Sequence, residues 1–151
     1  MRVLFLDIDG VLNSKPYFIE RGPGWMIDRE QADDIDPAAV RLLNTLIART
    51  GAAIVISSTW RYFGQQAVTE MLKARGLEGA VIGVTPRSEH GVRGREIQQW
   101  LANADAPIES FVILDDDSDM EHLMPRLVHT SFERGLLPAD VERAVALFEG
   151  A

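Results

Sequence analysis

Near the start of the chain stands Val3-Leu4-Phe5-Leu6-Asp7-Ile8-Asp9-Gly10. Four consecutive apolar residues predict a strand buried on both faces, because a half-exposed strand would alternate apolar with polar. Aspartate and glycine then supply turn residues that stop it. The same pattern returns down the chain. Ala53-Ile54-Val55-Ile56 runs into Ser57-Ser58, and Ala80-Val81-Ile82-Gly83-Val84 is a third apolar run. Phe111-Val112-Ile113-Leu114 runs into Asp115-Asp116-Asp117, and Arg126-Leu127-Val128-His129 predicts a fifth strand.

Between these runs the spacing is helical. Asp36 as N-cap and Pro37 in the first turn open a helix that carries Val40, Leu43, Leu46 and Ile47 and closes at Gly51. Further helices are predicted from about Gly64 to Arg75, from Arg95 to Asn103 after a turn at 91–94, and around 118–124. A last one starts at Pro138, with Val141, Val145 and Phe148 on one face. Strands alternating with helices predict an α/β fold, a three-layer α/β/α sandwich around a mostly parallel sheet. Residues 13–35 carry Pro16, Gly22, Pro23 and Gly24 and predict an irregular stretch, read as a possible flap because an ordinary connection is shorter.

A length of 151 residues predicts a single domain, 1–151. The net charge of −8 disfavours non-specific binding to nucleic acid or to an anionic membrane, which depends on a positive field. The chain has no cysteine, which excludes disulfides, thiolate metal sites and a cysteine nucleophile. The apolar run before Asp7 is too short for a signal peptide, and no stretch approaches a membrane span, so the expected location is cytoplasmic.

In a parallel sheet, ligands bind beyond the carboxyl ends of the strands. Asp7 and Asp9 stand at the first such end, Ser57 and Ser58 at the second, and Asp115, Asp116 and Asp117 at the fourth. Carboxylates converging from two strands repel unless a positive partner neutralises them. A hard divalent cation with oxygen ligands, Mg²⁺ by preference, suits that set and leaves room for water and a phosphate oxygen. Taken singly, each piece has a plainer reading. Asp-Gly after a strand is a turn, a Ser pair is a helix cap, and an aspartate run is a solvated loop. His90, His122 and His129 lack ligand spacing, and Met120 and Met124, four apart on a short helix, read as core.

The residues in order resemble the haloacid dehalogenase-like (HAD) superfamily. Leu6-Asp7-Ile8-Asp9-Gly10-Val11-Leu12 resembles its first motif, Ile54-Val55-Ile56-Ser57 its second, Arg93-Gly94 with Glu96-Ile97 its third, and Ile113-Leu114-Asp115-Asp116 its acidic fourth. More narrowly, DIDGVLNS, ISSTWR, RGREI and ILDDD are similar to the capless HAD domain of Swiss Army knife RNA-repair proteins. The resemblance implies a Rossmann-like sheet and a Mg²⁺-dependent phosphoric monoester hydrolase. Asp7 would be the nucleophile that forms an aspartyl-phosphate, and Asp9 the general acid and base. Ser57 would donate to the phosphoryl group, and Arg93, with Arg95 as competitor, would neutralise it. Metal ligands would be Asp7, Asp9 through its carbonyl, Asp115 and Asp116, one of the last two direct, Asp116 by preference, and the other through water. Gly10, Ser58 and Arg61 are further phosphate-binding candidates, and Asp119 reads as a second-layer residue or a helix cap.

The motif spacing bears on substrate. Between Asp9 and Ser57 lie 47 residues, and between Ser58 and Arg93 lie 34, which leaves no space for a full cap. An open site suits a bulky phosphorylated substrate, such as a polynucleotide end or a phosphoprotein, or needs a partner to close it; a nucleotide is the smaller candidate. Lys15, Tyr17, Phe18, Arg21, Trp25 and Arg29 in the flap, with Trp60 and Tyr62, either stack and pair a nucleic-acid end or pack the flap on the body. An alternative to an enzyme is a metal-binding regulatory or interaction module of the same fold. A phosphoacceptor receiver would need its aspartate after the third strand, where the chain has Thr85.

Overall fold

In the computed structural model of the chain, residues 1–24 and 29–150 are described. Five strands, β1 (Arg2–Leu6), β2 (Ala53–Ile56), β3 (Val81–Val84), β4 (Ser110–Asp115) and β5 (Leu127–His129), form one sheet in the order β3-β2-β1-β4-β5. Every pairing is parallel. The helices are α1 (Lys15–Arg21), α2 (Pro37–Thr50), α3 (Gln65–Ala74), α4 (Arg93–Ala102) and α5 (Pro138–Phe148).

The continuous apolar runs are explained by the two faces of the sheet. Leu4, Leu6, Ile54, Ile56, Val112 and Leu114 pack in one cluster with α2, α3 and α5. Val3, Phe5, Val55 and Ile113 point the other way, into a smaller cluster with Ile97 of α4, Met120 and Leu123. Successive strand residues thus enter opposite cores, as the period of two requires. On the α4 side, Phe5 meets Trp100 edge-on at 5.5 Å between ring centres.

The observed elements differ from expectation in four places. Residues 15–21 are helical rather than irregular, because Ser14 caps the amide of Tyr17 at 3.3 Å and Pro16 sits in the first turn, where its missing N–H costs nothing. A short 3-10 helix, Gln31–Asp34, follows. α4 starts at Arg93 rather than Arg95, because Asp119 supplies its N-terminal acceptors from across the fold. The helix expected over 118–124 is a 3-10 segment, Glu121–Arg126, so Met120 is buried but Met124 is exposed rather than core.

The order of strands places the site. The chain builds outward from β1 through β2 to β3, then returns to lay β4 on the other side of β1. That reversal opens a crevice at the carboxyl ends of β1 and β4. Pairing continues one residue past each strand: the amide of Asp7 donates to Leu114 O at 3.0 Å and that of Ser57 to Leu6 O at 2.8 Å. Thr85 N donates to Ile56 O at 2.9 Å. The polar residues after the strands therefore stand side by side on one rim.

Candidate active site

At this rim Asp7, Asp115 and Asp116 each offer a carboxylate oxygen, and the three atoms lie within 4.8 Å of one another. Asp7 and Asp115 are buried and Asp116 is partly so. Burial, with the adjacent Asp115 carboxylate, holds the Asp7 carboxyl well above the usual range, against the pull of Arg93. Burial likewise pushes Asp115 up to about 6, again opposed by Arg93. Two desolvated carboxylates with a third beside them make an oxygen-only donor set that fits a hard divalent cation.

Asp115 is tightly held. Its Oδ1 accepts from the amide of Asp117 at 2.9 Å, and its Oδ2 from Arg93 Nη1 at 2.9 Å. Among the described residues no protein donor reaches the Asp116 carboxylate. Asp116 instead occupies space that only a glycine at position 10 leaves open: a Cβ there would overlap Asp116 Oδ2, and Gly10 has φ +80°. The Gly10 amide donates to Asn13 Oδ1 at 3.0 Å and its carbonyl accepts from Thr130 Oγ1 at 2.8 Å. Gly10 thus shapes the turn and seats Asp116, with its N–H already committed.

Asp9 stands at the exposed edge of the turn. The indole Nε1 of Trp60 donates to both of its oxygens at 3.2 Å, and Asn13 Nδ2 donates to Oδ1 at 3.0 Å. Sequence reasoning left Trp60 between stacking and packing roles. It is buried, and it grips the Asp9 carboxylate directly.

Ser57 is fully buried, and its hydroxyl has no hydrogen-bond partner among the described residues. Such groups are rare and call for a ligand or water to satisfy them. Ser58 has a different position: its hydroxyl accepts from the amide of Trp60 at 3.2 Å and caps the 3-10 helix Thr59–Phe63.

Arg93 and Arg95 separate cleanly. Arg93 Nη1 also bonds the carbonyl of Ser57 and lies 3.6 Å from Asp7 Oδ1. Burial works against its charge, but Asp115, Asp7 and Glu96 outweigh it and raise its pKa further. Arg95, two residues on, points to the opposite side of the helix and pairs with Glu121 at 3.1 Å on the exposed surface. Asp119 acts as a cap: its Oδ2 accepts from the amide of Arg93 at 3.1 Å and its carbonyl from Gly94 N at 3.0 Å. Gly94 permits this docking, because a Cβ there would overlap the Met120 carbonyl. Gly94→Ala is expected to cost about 1–3 kcal/mol of stability by overpacking. Thermal denaturation followed by circular dichroism checks it, and an unchanged midpoint would contradict the close approach.

Arg61 lies at the same rim, with Nη2 3.0 Å from Glu96 Oε2 and Nη1 3.4 Å from Thr85 Oγ1. Thr85 and the buried Glu96 were missed as rim residues. Thr85 was legible only as the residue after a strand, and Glu96 as an acid three after Arg93 on one helix face.

In the flap, some described side chains bond one another and others reach the body, while Ile19 is exposed. Tyr17 donates to the Asp33 carbonyl at 2.6 Å and accepts from Arg75 Nη2 at 3.0 Å. Arg21 bonds the Asp33 carbonyl, and Arg29 pairs with Asp34 at 2.5 Å. Phe18 faces Phe132 at 6.1 Å between rings, and Lys15 is 3.7 Å from Glu133. Trp25 lies outside the described residues. Tyr62 is exposed, with the Arg87 guanidinium 3.7 Å from its ring centre. His122 meets Gln98 and His129 the Asp116 carbonyl, each at 2.9 Å, and His90 is exposed. No described helix is long and apolar enough to cross a membrane.

A family model described as the HAD domain in Swiss Army Knife RNA repair proteins matches residues 3–141. No curated protein matches the chain.

Proposed function

Because the chain belongs to the family of HAD domains found in Swiss Army Knife RNA repair proteins, we propose that it is a Mg²⁺-dependent phosphatase working through an aspartyl-phosphate on Asp7. The observation that carries this reading is the meeting of the Asp7, Asp115 and Asp116 carboxylates with Arg93 beside a buried Ser57 hydroxyl that has no hydrogen-bond partner among the described residues. Asp7, Asp115, Asp116 and the Asp9 carbonyl would hold the cation. Bound there, Mg²⁺ would neutralise the crowded carboxylates and polarise the phosphoryl group.

The chain's own residues do the rest. A carboxylate oxygen of Asp7 attacks phosphorus as the bond to the leaving oxygen breaks, and Asp9 gives its proton to that oxygen. Water then attacks phosphorus, Asp9 takes its proton, and the bond to Asp7 breaks, releasing phosphate and restoring both carboxyl groups. Trp60 and Asn13 hold the Asp9 carboxylate at the mouth of the site, where a leaving group and then water arrive. Ser57 donates to a phosphoryl oxygen, and Arg93 balances the charge on the transferring group, which carries little covalent demand and much electrostatic demand. Arg61 and Ser58 stand nearby, Arg61 as a second positive charge and Ser58 as the cap that orders the turn carrying it.

We assign the substrate to terminal phosphates of polynucleotides, with mononucleotides as the smaller alternative. The family's RNA-repair context supports this, as does an exposed rim carrying Tyr62 and Arg87. The domain acts in this reading as one catalytic unit, 1–151, with 13–35 as a tethered flap.

The test is phosphate release from aryl phosphate, mononucleotides and 3′- or 5′-phosphorylated oligonucleotides, with Mg²⁺ or with chelator. Release is expected with Mg²⁺ alone, and higher salt is expected to weaken the oligonucleotide reaction more than the mononucleotide one. No release from any substrate would overturn the assignment.

A further inference from the structure

Glu96 is a buried charge that the phosphatase reading leaves without a task, and among the described residues it is buried more deeply than Asp34 or Asp140, which the reading also leaves unused. It lies in the first turn of α4 and is 1% exposed, so its carboxylate has given up water for protein partners. Its two oxygens divide those partners. Oε1 lies 3.8 Å from Arg93 Nε. Oε2 lies 3.0 Å from Arg61 Nη2 and accepts the amide of Ser88 at 2.8 Å. Ser88 Oγ in turn accepts from the amide of Val92, the residue before α4. One carboxylate therefore joins the turn after β2, the segment after β3 and the start of α4.

The arrangement orients each arginine. Arg93 has its Nε side toward Glu96 and its Nη1 toward Ser57 O, Asp115 and Asp7. Nη1 of Arg93 is fixed by its own bonds to Ser57 O and Asp115, and Glu96 adds a negative charge at ion-pair distance on the Nε side. A fork held at one edge presents its other edge at lower entropic cost. Arg61 is held by Nη2, with Nη1 directed to Thr85 at the end of β3.

We infer that Glu96 is a positioning residue that holds the Arg61 guanidinium by a hydrogen bond, and steadies that of Arg93 by its charge, in the orientation used for phosphoryl transfer. This rests on the phosphatase reading for its kinetic consequence but not for its geometry. Glu96 touches no reacting atom in this reading and acts through the two arginines.

The test uses the full chain and the variants Glu96→Gln, Arg61→Met and their combination. Glu96→Gln keeps the shape but turns an amide donor toward one of the guanidinium groups. Its kcat with Mg²⁺ and aryl phosphate is expected to fall on the order of 10–100-fold, with KM moving far less, as for an interaction that counts mainly in the transition state. Arg61→Met is expected to be milder, and the double variant as slow as Glu96→Gln. If Glu96 only balanced the charge of Arg61, the double variant would recover the Arg61→Met rate, and the inference would fail. Should Glu96→Gln not fold, Glu96→Asp carries the same test, with a several-fold loss of kcat expected and a wild-type rate overturning it.

A second readout needs no substrate. The ¹⁵N-resolved Nη–H signals of Arg61, whose Nη2 bonds Glu96 at 3.0 Å, are expected to be protected from exchange in the wild-type protein and to lose that protection in the Glu96 variant. Equal protection in both would overturn the positioning. Loss of protection in a chain whose wild type releases no phosphate would uphold the positioning and sink the phosphatase reading alone.

Discussion

Asp7→Asn is expected to lower phosphate release on the order of 10³-fold or more, because in the proposed mechanism it removes the attacking carboxylate that splits the reaction into two steps. Asparagine fills the same space and leaves the amide bond to Leu114 in place. It also removes a buried charge from beside Asp115, where burial and like charge already work against ionisation. The metal-free variant is therefore expected to melt above the wild type at neutral pH. Phosphate release and a thermal scan on the same sample separate the outcomes. Loss of activity with a raised melting point supports a nucleophile held under strain. Unchanged turnover would remove Asp7 from the chemistry, and a lowered melting point would mean that the carboxylate stabilises the fold.

The second large effect is a pH dependence that Mg²⁺ reverses. In the metal-free fold Asp115 titrates at about 6, against 3.8 for an ordinary aspartate, and Asp7 is raised as well. Well below 3.8 the carboxyl is protonated whether the chain is folded or not, and the stability it favours is fully present. As pH rises toward 6, the unfolded chain has lost a proton that the folded chain keeps, so folding grows less favourable until Asp115 ionises too. For Asp115 this loss amounts to about 3 kcal/mol, complete a little above neutrality. The metal-free protein is thus expected to melt several degrees lower at pH 7.5 than at pH 5. Bound as proposed, Mg²⁺ would hold the ionised carboxylates, so it is expected to restore the melting point at pH 7.5 and do little at pH 5. Scanning calorimetry with Mg²⁺ and with chelator decides it. An equal Mg²⁺ effect at both pH values would show that these carboxylates are not the ligands. Asp115→Asn should flatten the pH dependence and weaken the Mg²⁺ effect together.

Much of the layout was legible before any coordinates. Runs such as Val3–Leu6 and Phe111–Leu114 cannot be half-exposed strands, and Asp36-Pro37 with Gly51 bracket a helix by rules that operate within a few residues. The order of strands was not legible, because it is set by which helices cover which face. α1 was misjudged although its signals match those of α2: Ser14 caps it as Asp36 caps α2, and both carry an early proline. No residue of this seven-residue helix is buried, so it lacks the apolar stripe that makes helices stand out.

The candidate site divides along the same line. Asp7, Ser57, Asp115 and Asp116 were singled out because a strand end is a local feature. Arg93 and Arg95 could not be told apart by sequence, since the start of their helix depends on Asp119, 26 residues beyond Arg93. The task of Trp60 depends on Asp9, 51 residues before it, and that of Glu96 on Arg61, 35 residues before it.

By itself, then, the sequence determined the parallel α/β architecture, the oxygen-rich strand ends and the family, because strand and helix periods and the residue after each strand are written in short stretches. Only the tertiary structure decided which arginine faces the carboxylates, why position 10 is glycine and what the buried Glu96 holds. Those outcomes depend on packing between segments far apart in the chain, where a desolvated charge must find its partners in space.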